Sequence, residues 1–312
     1  MIISASRRTD LPAFYPDWLF NRFREGRVLV RNPMNPHAIS DVRLSPDVVD
    51  GIVLWTKNPL PMLSRLSELD RYPYYFQFTL TAYGTDVEPS LPSKTGVLAP
   101  AFQTLSRKIG RERVVWRYDP IFFSARYTAD EHCRRFRRLA SLLGPYTEKC
   151  TISFLDFYRD TARNTRPLRP LSPTAAQRFE LAGRLTLIAA EYGLTLDTCA
   201  EEEDYSQLGV SHADCIDLER LERIGGWRLN TPRAKGQRPA CGCAESVDIG
   251  AYATCPGGCR YCYAGTLCGT AQKNRAAHDP RSPLLFGEVS PKDKIVVRAA
   301  CSQRDGQLRF PS

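Results

Sequence analysis

The chain has 312 residues, 43% of them hydrophobic, enough for a sizeable core in two ordinary domains or one large α/β barrel. The 43 Lys and Arg outnumber 34 Asp and Glu, for a formal net charge of +9. That charge fits nucleic acid or a phosphorylated small molecule, but it is scattered, and stretches such as CRRFRRL (Cys133–Leu139) read as solvated helix faces. No apolar run approaches the ~20 residues that span a bilayer, and Arg7 interrupts the start before a secretion-type apolar core can form, so a cytoplasmic protein with no membrane partner is expected.

Extended apolar segments recur along the chain: IISAS (Ile2–Ser6), GIVLWT (Gly51–Thr56), YYFQFTLT (Tyr74–Thr81), RVVWRYD (Arg113–Asp119), TISFLDF (Thr151–Phe157) and LTLDTCA (Leu194–Ala200). Several are apolar on both faces, as parallel strands covered on both sides are. Helical patterns fall between them. Asn58 and Pro59 open one with Leu63, Leu66 and Leu69. Thr128 and Glu131 form a T-x-x-E start before Phe136, Leu139 and Leu143, with Gly144 as the stop. Ser172 and Pro173 open a third, whose stripe Leu181, Leu185, Ile188 and Tyr192 ends at Gly193. The alternation predicts βα units in a parallel sheet, with enough of them to curl into a full or partial (β/α) TIM-type barrel over residues 1–235.

Residues 28–49 interrupt the rhythm as a hairpin or loop excursion, and residues 82–95 as a loop over one end of the sheet. Residues 236–270 form a cysteine-rich segment expected to close the barrel. Residues 271–312 read as a tail packed on the outside, with one strand candidate at KIVVRAA (Lys294–Ala300).

Eleven cysteines are many for a compartment where disulfides rarely persist, and eight of them lie from Cys199 to Cys268, which points to metal or redox chemistry. Cys255, Cys259 and Cys262 stand at C-x3-C-x2-C spacing in CPGGCRYCYA, with Gly257 and Gly258 allowing a tight loop. Thiolates suit iron–sulfur clusters and zinc. A structural zinc needs a fourth ligand from elsewhere, so an iron–sulfur site is the leading reading, with zinc or no metal as alternatives. Cys199, Cys215, Cys241 and Cys243 are candidates for a second iron–sulfur cluster or, less simply, a zinc; Cys199 and Cys215 as small buried hydrophobes are the competing reading.

The motif CPGGCRYCYA resembles the cluster loop of the radical S-adenosylmethionine (SAM) superfamily. More widely, SASRRTD, LWTKNP, RYDPI, TCAE, CID and CGCAESVDIGAY make nearly the whole chain similar to a prokaryotic family, domain of unknown function family number 1848, whose members carry such a cysteine cluster near their end. The resemblance implies that Cys255, Cys259 and Cys262 each bind one iron of a 4Fe–4S cluster. The open iron would chelate SAM, which reductive cleavage would turn into a 5′-deoxyadenosyl radical, with Tyr261 near the adenine. It also implies an electron donor such as a flavodoxin or ferredoxin. The chain has no glycine-rich GGE-type segment after the cluster loop, so the usual contact to the SAM amine is unassigned.

A ring of βα units has no privileged starting point. SVDIGAY (Ser246–Tyr252) reads as a strand just before the cysteine loop, and a cyclic permutation of the radical SAM barrel would set it beside IISAS. Barrel active sites lie at the C-terminal strand ends. Those ends offer Arg7, Arg8 and Asp10; Thr56, Lys57 and Asn58; Thr79 and Thr81; Arg117 and Asp119; Asp156; and Thr198 and Glu201. Arg117, Asp119, Asp156 and Glu201 are the candidate catalytic residues. Arg7 and Lys57, with Tyr261, are the candidate cofactor-binding residues. For each, a rim salt bridge is the competing role, and for Asn58 a cap. The leading function is a radical-SAM-like enzyme on a small-molecule substrate. A non-catalytic iron–sulfur protein (structural, redox-sensing or nucleic-acid-binding) is the runner-up, although no basic patch with interleaved aromatics is visible. A structural zinc protein with a barrel of other activity is third.

Overall fold

A computed structural model describes residues 1–264 and 268–308. In chain order it runs through β1 (Ile2–Ala5), α1 (Leu11–Phe14), α2 (Pro16–Glu25), β2 (Arg27–Arg31), β3 (Ala38–Arg43), β4 (Gly51–Thr56), β5 (Tyr74–Thr79), α3 (Ala99–Ile109), β6 (Val114–Ile121) and α4 (Ala129–Leu143). It continues with β7 (Lys149–Phe154), α5 (Arg159–Thr165), α6 (Ala175–Glu191), β8 (Thr195–Thr198), β9 (Ser211–His212), α7 (Leu218–Gly225), β10 (Trp227–Leu229), β11 (Val247–Asp248), α8 (Cys268–Ala276), β12 (Lys294–Val297) and β13 (Arg304–Leu308). No described helix is long and apolar enough to cross a membrane.

Eight strands pair in the order β11-β1-β4-β5-β6-β7-β8-β9, all parallel. The expected neighbours meet: Ile3 pairs with Val247 and Ser4 with Asp248, so a strand from near the C-terminus flanks the first one. The sheet is not closed, however, which corrects the expectation of a full barrel. Its edges β9 and β11 are two residues long, too short to offer the staggered ladder that closure requires. Between them the chain leaves the sheet, and β10 pairs instead with β13. The excursion over 28–49 is the antiparallel hairpin β2–β3, and the tail strand β12 extends it in parallel.

The caps explain two of the helices. Thr128 Oγ accepts from the Glu131 N–H and starts α4. The third helix starts two residues later than expected: Thr174, not Ser172, is the N-cap, and Gln177 completes a reciprocal capping box. The helix expected after Asn58 is absent. Two 3-10 turns, Leu60–Met62 and Leu66–Leu69, stand there. Leu63, Leu66 and Leu69 recur every third residue, a spacing that suits three residues per turn as well as a helical face. Unforeseen helices are α1 to α3, α5 and α7. Of these, α2 carries Pro16 at its first position and Gly26 (φ 68°) just beyond its end.

The main core lies between the helices and one face of the sheet, where Ile52, Leu54, Tyr74, Phe76, Val114 and Trp116 meet Trp18, Phe102, Phe136 and Leu185. The opposite face is covered by the returning chain of residues 200–244. There Ile2, Val53, Tyr75 and Val115 pack against Ile216, Leu221, Cys215 and Cys243.

Candidate functional site

Side chains alternate with period two along a strand, so the second face continues from Ile2, Val53, Tyr75 and Val115 to Ser4, Trp55, Gln77 and Arg117. The sequence is therefore apolar at the start of each strand on this face and polar toward its C-terminal end. Charged and hydroxyl groups gather there, and two neighbouring assemblies result.

The first is built around the cysteine loop. Asp248, on β11, accepts from Ser4 Oγ at 3.1 Å, from the Arg7 N–H at 2.8 Å, from the Gly250 N–H at 3.0 Å and from Ser6 Oγ. It thereby ties the edge strand to the first strand. The loop that follows is held from several sides: Tyr15 OH donates to the Thr254 carbonyl at 2.6 Å, Asn274 Nδ2 to the Ala253 carbonyl at 2.9 Å, and Arg260 Nε to the Asp86 carbonyl at 2.7 Å. The backbone N–H groups of Asp10 and Gly257 donate to Cys255 Sγ. Cys255, Cys259 and Cys262 act on one another electrostatically, so the three thiols are close neighbours. Burial pushes Cys255 up to about 12 and Cys259 higher still, with Lys57 pulling the other way on Cys259. Burial thus favours the protonated thiol at Cys255 and Cys259.

Beside the loop lies a buried charge network. Glu88 is fully buried. Its Oε1 accepts from Lys57 Nζ at 3.0 Å and from Tyr261 OH, and its Oε2 from Thr81 Oγ at 2.9 Å and from Lys94 Nζ. Lys57 Nζ also donates to Tyr261 OH at 2.6 Å. Burial would raise the Glu88 carboxyl, but Lys57 and Lys94 outweigh it and hold it down at about 2. Burial likewise opposes the Lys57 charge, yet Glu88 and Cys259 outweigh it and its pKa rises. Lys94 goes the other way, because there burial exceeds the pull of Glu88. Tyr261 packs with Tyr83, Phe122 and Tyr127. Asp10 accepts from Thr56 Oγ at 2.8 Å and from the Lys57 N–H at 2.8 Å, and burial raises it to about 6.

The second assembly centres on Arg117. Its guanidinium grips Asp119 through Nε at 3.0 Å and through Nη2, and Nη1 reaches Cys215 Sγ at 3.0 Å. Burial opposes its charge, but Cys215 and Asp119 more than compensate and raise it. Asp119, helped by Ser153, is lowered although burial works against it. Trp55 lies under both arginines, 5.5 Å from Arg117 and 5.9 Å from Arg7, and donates to Ser4 Oγ at 3.1 Å. Cys199 and Cys215 Sγ are 3.1 Å apart. Cys241 and Cys243 lie in the same buried cluster as Cys215, and the neighbouring Cys243 lowers the Cys241 thiol to about 6. Glu201 accepts from the Phe154 N–H at 2.8 Å, and burial raises it to about 7.

The fold thus brings Arg7, Lys57, Asp119, Arg117, Tyr261 and both cysteine sets to the same end of the sheet. Asp156 is exposed and ion-paired with Arg238, which also reaches the Cys199 carbonyl at 3.5 Å. Asn58 Oδ1 accepts from the Leu60 N–H at 3.2 Å just before the first 3-10 turn, whose N-cap is Pro59. Among the described residues, no three His, Cys, Asp or Glu side chains are arranged around a common point as metal ligands would be. Three residues of the site escape a reading of strand ends. Glu88 and Lys94 lie in the 82–95 loop, where a carboxylate just before Pro89 is the only hint. Asp248 is the one charge inside SVDIGAY, and that polar break in a strand just before the cysteines is a usable signal.

Comparison with known proteins reaches only the level of family. No curated protein matches the chain. The family model described as "Domain of unknown function (DUF1848)" matches residues 2–264, from β1 through the whole cysteine loop. The chain therefore belongs to the DUF1848 family.

Proposed function

We propose that this protein is a radical-SAM-like iron–sulfur enzyme acting on a small molecule, built on a partial, cyclically permuted (β/α) barrel. The observation that carries the reading is the C-x3-C-x2-C loop leaving β11, the strand beside β1, at the C-terminal edge of a parallel sheet. The donor set fits the group: three neighbouring thiols on one loop, tied down by Tyr15, Asn274 and Arg260. Burial favours the neutral form of Cys255 and Cys259, and iron would reverse that by replacing the protons. A cluster bound by Cys255, Cys259 and Cys262 would supply one-electron reduction of SAM at an open iron.

The chain's own residues have definable tasks. Lys57, Lys94 and Glu88 form a rigid ionic frame that fixes the Tyr261 hydroxyl. The Tyr83–Phe122–Tyr127 cluster backs that ring and excludes water from it. Arg7 and Arg117, both against Trp55, offer positive charge to a carboxylate or an anionic substrate. Glu201, raised to about 7 by burial, is able to exchange a proton near neutral pH. A small electron-transfer protein of the flavodoxin or ferredoxin type would be the reductant.

Anaerobic reconstitution tests the reading. Wild-type chain should bind about four irons in its first cluster, and Cys255→Ala, Cys259→Ala and Cys262→Ala should each lose them. With dithionite and SAM the wild type should form 5′-deoxyadenosine. A stable cluster with neither that product nor an EPR change on adding SAM would favour a non-catalytic iron–sulfur protein instead.

A further inference from the structure

The second cysteine set is not absorbed by that reading. Cys199 follows β8, Cys215 precedes α7, and Cys241 and Cys243 lie on the stretch leading to β11. These three chain segments bring four thiols into one cluster. Cys215, Cys241 and Cys243 are buried and Cys199 is half-buried. Cys199 and Cys215 Sγ are 3.1 Å apart, and Cys215, Cys241 and Cys243 share one buried cluster against which Cys199 packs.

The Cys199–Cys215 spacing favours a single ion over a cubane. Around one tetrahedral ion with metal–sulfur bonds of about 2.3 Å, sulfurs stand about 3.8 Å apart. In a cubane each thiolate binds a different iron, and the sulfurs are held much farther apart. A pair at 3.1 Å, closed by a shared proton, needs to open by less than an ångström for the single ion, but by far more for the cubane. Among the described residues no three ligands stand ready around a common point, so the thiols would have to regroup around the ion.

The surroundings suit a tetrathiolate, which carries two net negative charges around a divalent ion. Arg117 Nη1 is 3.0 Å from Cys215 Sγ. Arg233 Nε donates to the Cys241 carbonyl at 2.8 Å, and Arg238 Nη2 to the Cys199 carbonyl at 3.5 Å. The Ile216 N–H donates to Cys243 Sγ at 3.4 Å, and the Cys243 N–H to Cys241 Sγ. Such N–H···S bonds and nearby cations are the outer shell that orients and stabilises thiolate ligands.

We propose that Cys199, Cys215, Cys241 and Cys243 form a closed four-thiolate site for one zinc ion, separate from the cluster loop. Binding Zn²⁺ releases the thiol protons to solvent, with no change in oxidation state. All four ligands come from the chain, so the site has no open position and its role is to staple. It fastens the 200–244 return segment to the open side of the sheet, beneath the polar floor made by Arg117 and Trp55. The proposal does not depend on the cluster reading.

Metal analysis of the full chain tests it. Wild-type protein desalted after purification should hold about one zinc. Cys199→Ser/Cys243→Ser should lose it, whereas Cys255→Ala/Cys259→Ala/Cys262→Ala should keep it while losing iron. Because the double variant could fail to fold for other reasons, wild-type chain loaded with Co²⁺ is the second measurement. It should show thiolate-to-metal charge transfer and the visible bands of tetrahedral cobalt. About eight irons with no zinc in anaerobically prepared wild type would overturn the proposal in favour of a second cluster. Zinc retained in the double variant, absence of both zinc uptake and cobalt bands in the wild type, or a Cys199–Cys215 disulfide as the stable form would overturn it as well.

Discussion

Replacing Glu88 by Gln keeps the size of the side chain and an oxygen for Thr81, but removes the one negative charge between Lys57 and Lys94. The carboxyl lies at about 2 instead of its ordinary 4.5. At about 1.36 kcal/mol per pH unit, that drop corresponds to about 3 kcal/mol of native-state preference for the ionised form. The group is fully buried, so solvent screening takes little of this away. The sign follows from linkage: a depressed carboxyl contributes fully above 4.5, and the contribution is lost as pH falls toward 2. Urea unfolding followed by circular dichroism, in steps from pH 7 to pH ~2.5, should show Glu88→Gln destabilised by about 3 kcal/mol at neutral pH. The two curves should then converge in acid. A variant within ~0.5 kcal/mol of wild type at pH 7, or two parallel pH profiles, would refute the ionic frame.

Other outcomes follow from single contacts. Glu201 is raised to about 7, so its contribution is present below 4.5 and lost as pH rises through about 7. Glu201→Gln should therefore match the wild type at acidic pH and unfold at a higher temperature than it at pH ~8; identical melting curves at both would contradict the burial argument. Asp248→Ala strands the donors of Ser4, Ser6, Arg7 and Gly250, at a cost of about 3 kcal/mol. Amide exchange should speed up at Val247–Gly250 before it does in β5 or β6, and uniform exchange would count against it. A methyl group at Gly250 would come within 2.2 Å of Ser6 Oγ and 2.7 Å of Ser6 Cβ. Gly250→Ala should cost about 2 kcal/mol. Adding Ser6→Gly, but not Ser6→Ala, should relieve the Cβ contact, and thermal melts of the three variants decide it.

Much of the sheet is legible because its strands are apolar on both faces, a pattern that hardly any other element shows. Helix α4 is legible because its cap and its periodic Phe136, Leu139 and Leu143 agree. The helix expected after Asn58 fails because leucines every third residue fit two geometries, and only the packing of Met62, Leu66 and Leu69 chooses between them. The strand-end residues reach the right end of the sheet, since alternation along a parallel strand fixes which groups face which side. Their partners are another matter. Lys57 is matched by Glu88 across 31 residues, and Arg117 by Cys215 across 98.

The sequence by itself determined the parallel βα rhythm, the three-cysteine loop and its family, because these reside in local periodicity and spacing. Tertiary structure alone decided that the sheet stays open, that Asp156 pairs with Arg238, and that Cys199, Cys215, Cys241 and Cys243 meet. Each of those outcomes depends on where distant segments return in space. Edge strands of two residues, an exposed arginine and a hydrogen-bonded thiol pair decide them, and no local pattern encodes such encounters.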